Sequence, residues 1–249
     1  MPSLDDQRFL PGAGDVRLVR RRKLEATQQL LGDTIMIEED AWHAPSALPG
    51  WSRAHVATHL ARGADALARL AESAPSGGTG IPLYLSDRDR FTDVERGAER
   101  RALDLQIDLD TSAGRLHRSF DKIDAQSCAA PVDLGDGRLV RLDLLPLARL
   151  REVLLHRVDL DCGFSITDAD DDIARWVLEW TCYWLAGDES LPALQVESTS
   201  GFHARLGARG RPIPVGGSDA LLLGWLTGRL PGNHPARAEL PELPEGWRT

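Results

Sequence analysis

Four long stretches of helical periodicity, separated by loops, constrain this chain more than any other feature. From Asp15 apolar residues recur at Val16, Val19, Leu24, Leu30 and Leu31, and Gly32-Asp33 offers a helix end. A short helical pattern over Ile35 to Asp40 follows, and then Pro45, Pro49 and Gly50 mark a loop. Ser52 is a good N-cap and Trp51 an apolar staple before it. Val56, His59, Leu60, Ala64, Leu67 and Leu70 follow at helical spacing. After the Ser76-Gly77-Gly78-Thr79-Gly80 tract, which reads as a flexible loop, Thr92 to Ile123 reads as one long helix. Residues 128–142 have the pattern of a hairpin turning at Asp136-Gly137. A further helix starts around Asp143 to Leu145, tolerates Pro146 in its first turn, and ends near Gly163. Long helices joined this way predict an antiparallel bundle.

Beyond Gly163 the pattern changes. One amphipathic helix over about Asp170 to Ala186 precedes short β-like runs at Ala193 to Ser198, Phe202 to Leu206 and Ile213 to Val215. A last helix covers Ser218 to Thr227. The expected fold class is therefore mainly α, a helical bundle over 14–164 followed by a small α/β domain over 165–249, with 1–13 as a loose leader. Trp51, Tyr84 and Trp225 either line the pocket or pack in the core, and the core is the default expectation.

The formal net charge of −9 and pI near 5.3 argue against a nucleic-acid partner, which needs a basic surface. The single basic run, Arg20-Arg21-Arg22-Lys23, is expected to be a solvated helix face. No apolar stretch approaches the roughly 20 residues needed to span a bilayer. Three cysteines without a CxxC pair, and no apolar N-terminal signal, suggest a reducing cytoplasm. A monomer is the default expectation.

On the 143–162 helix Glu152 and His156 are one turn apart, so both project from one largely apolar face. A carboxylate and an imidazole at that spacing form half of a metal site, and an unpaired glutamate there would be costly to bury. His59, beside Val56 and Leu60, faces the same bundle core. Three ligands from two helices would leave coordination positions open, as in catalytic sites. Two histidines and a carboxylate suit zinc, and also iron, nickel or cobalt. Alternatively, either histidine is simply a hydrogen-bonded core residue. His55, one turn before His59, competes as a ligand but belongs to the helix's exposed first turn. Asp159 is either a partner that orients the His156 ring or an ion-pair partner of Arg157 or Arg62.

The segments Gly50 to Arg62 (GWSRAHVATHLAR) and Arg149 to Leu160 (RLREVLLHRVDL) resemble the mycothiol-dependent maleylpyruvate isomerase family, part of the DinB-like group of metal-binding four-helix bundles. Pro82-Leu83-Tyr84, Trp225 to Arg229 and the tail Glu239 to Pro244 fit the same pattern, so the resemblance runs from about Val16 to the end. It implies a DinB-like fold, zinc held by His59, Glu152 and His156, and mycothiol as thiol co-substrate. It also implies that Arg229, at the end of the last helix, is a functional arginine reaching toward the bundle. The implied reaction isomerises maleylpyruvate to fumarylpyruvate through a zinc-bound thiolate. The thiolate adds to the cis double bond, the resulting single bond rotates, and the thiol is expelled. Arg229 would suit a substrate carboxylate bidentately, or else it is an ordinary cation at a helix C-terminus. Two positions depart from the family pattern: Gly63 where Asn is common, and Leu154-Leu155 where a Trp is common. They leave open a second reading, a mycothiol S-transferase acting on another small electrophile. A third is a non-catalytic metal-binding regulatory protein.

Overall fold

The computed structural model describes residues 4–74, 83–84, 86–135, 137–186, 188–207 and 210–244. Two compact units divide the chain after Gly163.

The first unit is built on four long helices: α1 (Val16–Ile35), α2 (Arg53–Ser73), α4 (Ala102–Phe120) and α5 (Leu145–Asp159), with α3 (Asp87–Ala98) laid against α2. α2 packs on α4 and α5, and α1 on α5 and α4. Leu60, Leu70, Leu105, Leu116, Leu147 and Leu150 are fully buried between them. Each such leucine contributes about 2 kcal/mol of apolar burial. α2 starts where expected: Ser52 Oγ accepts from the His55 backbone N–H, and the Ser52 N–H donates to His55 Nδ1 at 3.2 Å, a capping box closed by a histidine. Pro146 falls in the first turn of α5. The hairpin also forms: β1 (Pro131–Asp133) pairs antiparallel with β2 (Leu139–Arg141), burying Val132 against Val140. Gly137 takes a left-handed φ of 74° in its turn, while Asp136 lies outside the described residues, as does the Ser76 to Gly80 tract.

Several expectations need correction. The helix read as continuous over Thr92 to Ile123 is broken between Ala98 and Ala102. Arg100 turns back at the break, its Nε donating to Gly97 O at 2.9 Å and its Nη2 to Asp108 Oδ2 at 2.7 Å. The new N-terminus is capped from elsewhere: the Ala102 N–H donates to Glu39 Oε1 at 3.1 Å. α1 continues past Gly32 to Ile35, and the short pattern after it is a 3-10 turn over Glu39–His43 that buries Trp42. The described part of the segment expected to be a loose leader is pinned. Gln7 is fully buried, donating to Leu139 O at 2.8 Å and accepting from the Arg141 N–H at 2.9 Å, while the Gly14 N–H donates to Asp143. The basic run is only partly a solvated face. Arg20 pairs with Asp121 and Arg22 with Glu25, but Lys23 falls on the buried stripe with Val19, Ala26, Thr27 and Leu30 and is 2% exposed.

In the second unit α6 (Asp171–Leu185) and α7 (Asp219–Leu226) pack together, with a three-stranded sheet in the order β4-β3-β5. β3 (Leu194–Ser198) runs antiparallel to β4 (His203–Leu206) and parallel to β5 (Ile213–Gly217). β3 buries Leu194, Val196 and Ser198 in strict alternation, the period-2 pattern of a one-sided sheet. The fold is thus mainly α, a four-helix bundle followed by a small α/β unit. Among the described residues no helix is long and apolar enough to cross a membrane.

Candidate metal centre

Helix periodicity brings the expected ligands together. His55 and His59 are spaced four apart on one face of α2, and Trp51, just ahead of the N-cap Ser52, lies against both. The Trp51 ring lies 6.2 Å from His55 and 5.4 Å from His59. Glu152 and His156 face this stack from α5. His59 Nε2 stands 3.8 Å from Glu152 Oε1, and the His59 and His156 rings meet edge to face at 4.8 Å. One turn along α2 from His59, Gly63 leaves room for the glutamate. A Cβ there would lie 3.0 Å from Glu152 Oε1 and 3.4 Å from Arg149 Nη1.

The electrostatics favour neutral imidazole beside an ionised carboxylate. Burial, and next the neighbouring His156, push the His59 pKa down to about 3, so the His59–Glu152 contact is not an ion pair at neutral pH. Burial opposes ionisation of Glu152, but the charge and hydrogen bond of Arg149 lead the effects that outweigh it and hold the carboxyl below its ordinary range. Arg149, 3% exposed, donates from Nη1 to Glu152 Oε2 at 2.9 Å. Asp159, 2% exposed, bonds His156 Nδ1 at 2.9 Å. That contact makes Nδ1 the protonated nitrogen and leaves the Nε2 lone pair available. Nearby, Arg157 pairs with Asp33, and Arg62 with Asp65 and Asp108.

His59 is the anomaly. Among the described residues its buried Nδ1 has no hydrogen-bond partner, and Nε2 is too far from Glu152 for one. A buried polar group left in that state costs about 1–3 kcal/mol. Coordination through a ring lone pair would remove part of that cost, and the donor set of two imidazoles and a carboxylate suits a divalent ion. Ligands about 2.0–2.1 Å from a tetrahedral metal stand roughly 3.4 Å apart, so the 3.8 Å pair would have to close by a few tenths of an ångström. Among the described residues no group of three His, Cys, Asp or Glu side chains already stands in metal-holding geometry.

His55 does not join the site. Its Nδ1 lies 2.7 Å from Ser52 Oγ and its Nε2 3.5 Å from Glu95. Arg229, in the second unit, is set by the end of α7. Gly228, at φ 70°, turns the chain, and the Arg229 N–H donates to Gly224 O at 2.7 Å, a Schellman closure. Its Nη1 donates to Thr227 O at 2.7 Å. Two aromatics expected in the core border the site instead: Trp51 against His59, and Tyr84, whose phenol is raised to about 12 by burial and then by the Glu152 charge. Trp225 is buried as expected, its Nε1 donating to Pro241 O. Arg149 was not singled out in the sequence, although its three-residue step to Glu152 could have revealed it.

The chain matches the profile of the mycothiol maleylpyruvate isomerase N-terminal domain over residues 24–161. It is similar to a crystal structure of mycothiol-dependent maleylpyruvate isomerase at 22% identity and a TM-score of 0.80, covering 98% of this chain and 99% of that one. It is likewise similar to a histidine-to-alanine mutant of such an enzyme at 21% identity and a TM-score of 0.77, over 92% of each chain. No curated protein sequence matches it. At these identities the solved structures establish the fold, while the profile covers more than half of the sequence. The chain belongs to the mycothiol maleylpyruvate isomerase family.

Proposed function

We propose that this chain is a mycothiol-dependent enzyme that isomerises maleylpyruvate to fumarylpyruvate at a divalent metal, zinc for preference, held by His59, Glu152 and His156. The observation that carries the reading is the buried, neutral His59 ring, whose Nδ1 has no hydrogen-bond partner among the described residues, facing a carboxylate and a second imidazole. A divalent cation there would supply Lewis acidity that keeps a thiol ionised at neutral pH. The chain's own residues do the rest. Asp159 fixes the His156 ring, Arg149 holds one Glu152 oxygen so that the other faces His59, and Trp51 walls the histidine stack. Arg229 is assigned to bind a substrate carboxylate, a role its planar fork suits.

Purified protein supplied with zinc and mycothiol should remove the absorbance of maleylpyruvate, and omission of either, or His59→Ala, should abolish the loss. Unchanged absorbance with every component present would refute the isomerase reading. The S-transferase reading keeps support from Gly63, because the family-pattern departure there lies directly against Glu152 and Arg149 and so reshapes the site wall. It predicts a mass-detectable conjugate of mycothiol with an alkylating electrophile, with maleylpyruvate untouched.

A further inference from the structure

Three arginines gather around Tyr84 and the candidate metal centre, in a protein of net charge −9. Two are committed: Arg149 to Glu152, and Arg69, whose Nη2 donates to Leu83 O at 3.4 Å. Arg90 differs. Its guanidinium carbon sits 5.1 Å from the Tyr84 ring centroid, and among the described residues no carboxylate pairs with it. Its register on α3 sets its position. Arg90, Val94 and Ala98 recur one turn apart on α3, and Val94 and Ala98 are buried. α3 runs along α2, with Glu95 beside His55 and Gly97 pressed on Thr58, the residue before His59. From there the Arg90 charge reaches both His59 and Tyr84.

We propose that Arg90, braced on the face of Tyr84, is a substrate-binding residue that takes a carboxylate of the small electrophile at the His59 site. Stacking on an aromatic ring restricts the guanidinium without using its N–H donors, so the fork stays available for a planar anion. The proposal rests on the isomerase reading for its dianionic substrate: maleylpyruvate carries two carboxylates, and Arg90 supplies a clamp for one of them from within the bundle.

The test uses zinc-loaded full-length protein and maleate, a cis-dicarboxylate, with dimethyl maleate as the uncharged control, in calorimetric titrations. Arg90→Gln should weaken maleate binding about tenfold or more, the range for a charged hydrogen-bond pair. Arg90→Lys should recover part of it, and zinc content and melting temperature should stay at wild-type values. Because Arg90 is exposed, neither variant should compromise folding. Wild-type protein that binds maleate no better than its diester, or an Arg90→Gln variant that binds maleate as wild type does, would overturn the proposal. The two readings fail separately. Arg90-dependent maleate binding without maleylpyruvate turnover removes the isomerase and leaves the clamp. Turnover with an unchanged KM in Arg90→Gln removes the clamp and leaves the isomerase.

Discussion

Replacing Lys23 with methionine should make the protein more stable at neutral pH. Lys23 lies 2% exposed on the inner stripe of α1, 5.5 Å from the Phe120 ring centroid, and no carboxylate reaches it among the described residues. Burial, then the like charges of Arg149 and Arg20, push its pKa from 10.5 down to about 7. That drop corresponds to at most about 5 kcal/mol of destabilisation with the amine charged, at 1.36 kcal/mol per pH unit. Below about pH 7 the amine is protonated in both states and the full penalty applies. Between about 7 and 10.5 the unfolded chain holds the proton and the folded chain does not, so stability rises with pH; above 10.5 the penalty is gone. Methionine keeps most of the apolar stem and forfeits a cation–π contact worth about 0.5–2 kcal/mol. The net expectation for Lys23→Met is about 2–4 kcal/mol of added stability at pH 6.5, shrinking toward pH 10. Urea unfolding at half-unit pH intervals measures it. A variant less stable than wild type at pH 6.5, or a difference that does not shrink with pH, would refute the reasoning.

Asp159→Asn removes the charge that orients His156 and should weaken zinc binding by about 10–100-fold in chelator competition, with little change in helicity; wild-type affinity would show that the contact is structural only. His55→Ala opens the capping box of α2 and should cost about 0.5–2 kcal/mol in urea unfolding. Zinc stoichiometry should be unaffected, and its loss would instead make His55 a ligand.

The start of α2 was legible because its signal is local: Ser52, the residue before it and the apolar spacing after it lie within a few turns. The face shared by Glu152 and His156 was legible for the same reason. What was missed depends on partners far away in sequence. The break after Ala98 is stabilised by Glu39 capping Ala102 from 63 residues upstream, and by Arg100 folding back onto Gly97 and Asp108. Lys23 sits in a run of four cations, yet its register on α1 places it inward with Val19 and Thr27. Gln7 is held by the edge of a hairpin more than 130 residues away. Within the site helical spacing put Glu152 and His156 on one face and the family resemblance set His59 beside them as a candidate, whereas Arg90 meets Tyr84 through α3, which lies against α2.

The most direct test of the central claim, that His59, Glu152 and His156 hold one metal with a position open to a thiolate, is a cobalt titration of metal-free protein followed by mycothiol. Visible absorption should saturate at one cobalt per chain, and thiol should then add a near-ultraviolet thiolate-to-cobalt band; neither feature should appear in His59→Ala. No saturable cobalt spectrum, or a spectrum indifferent to the thiol, would contradict the account.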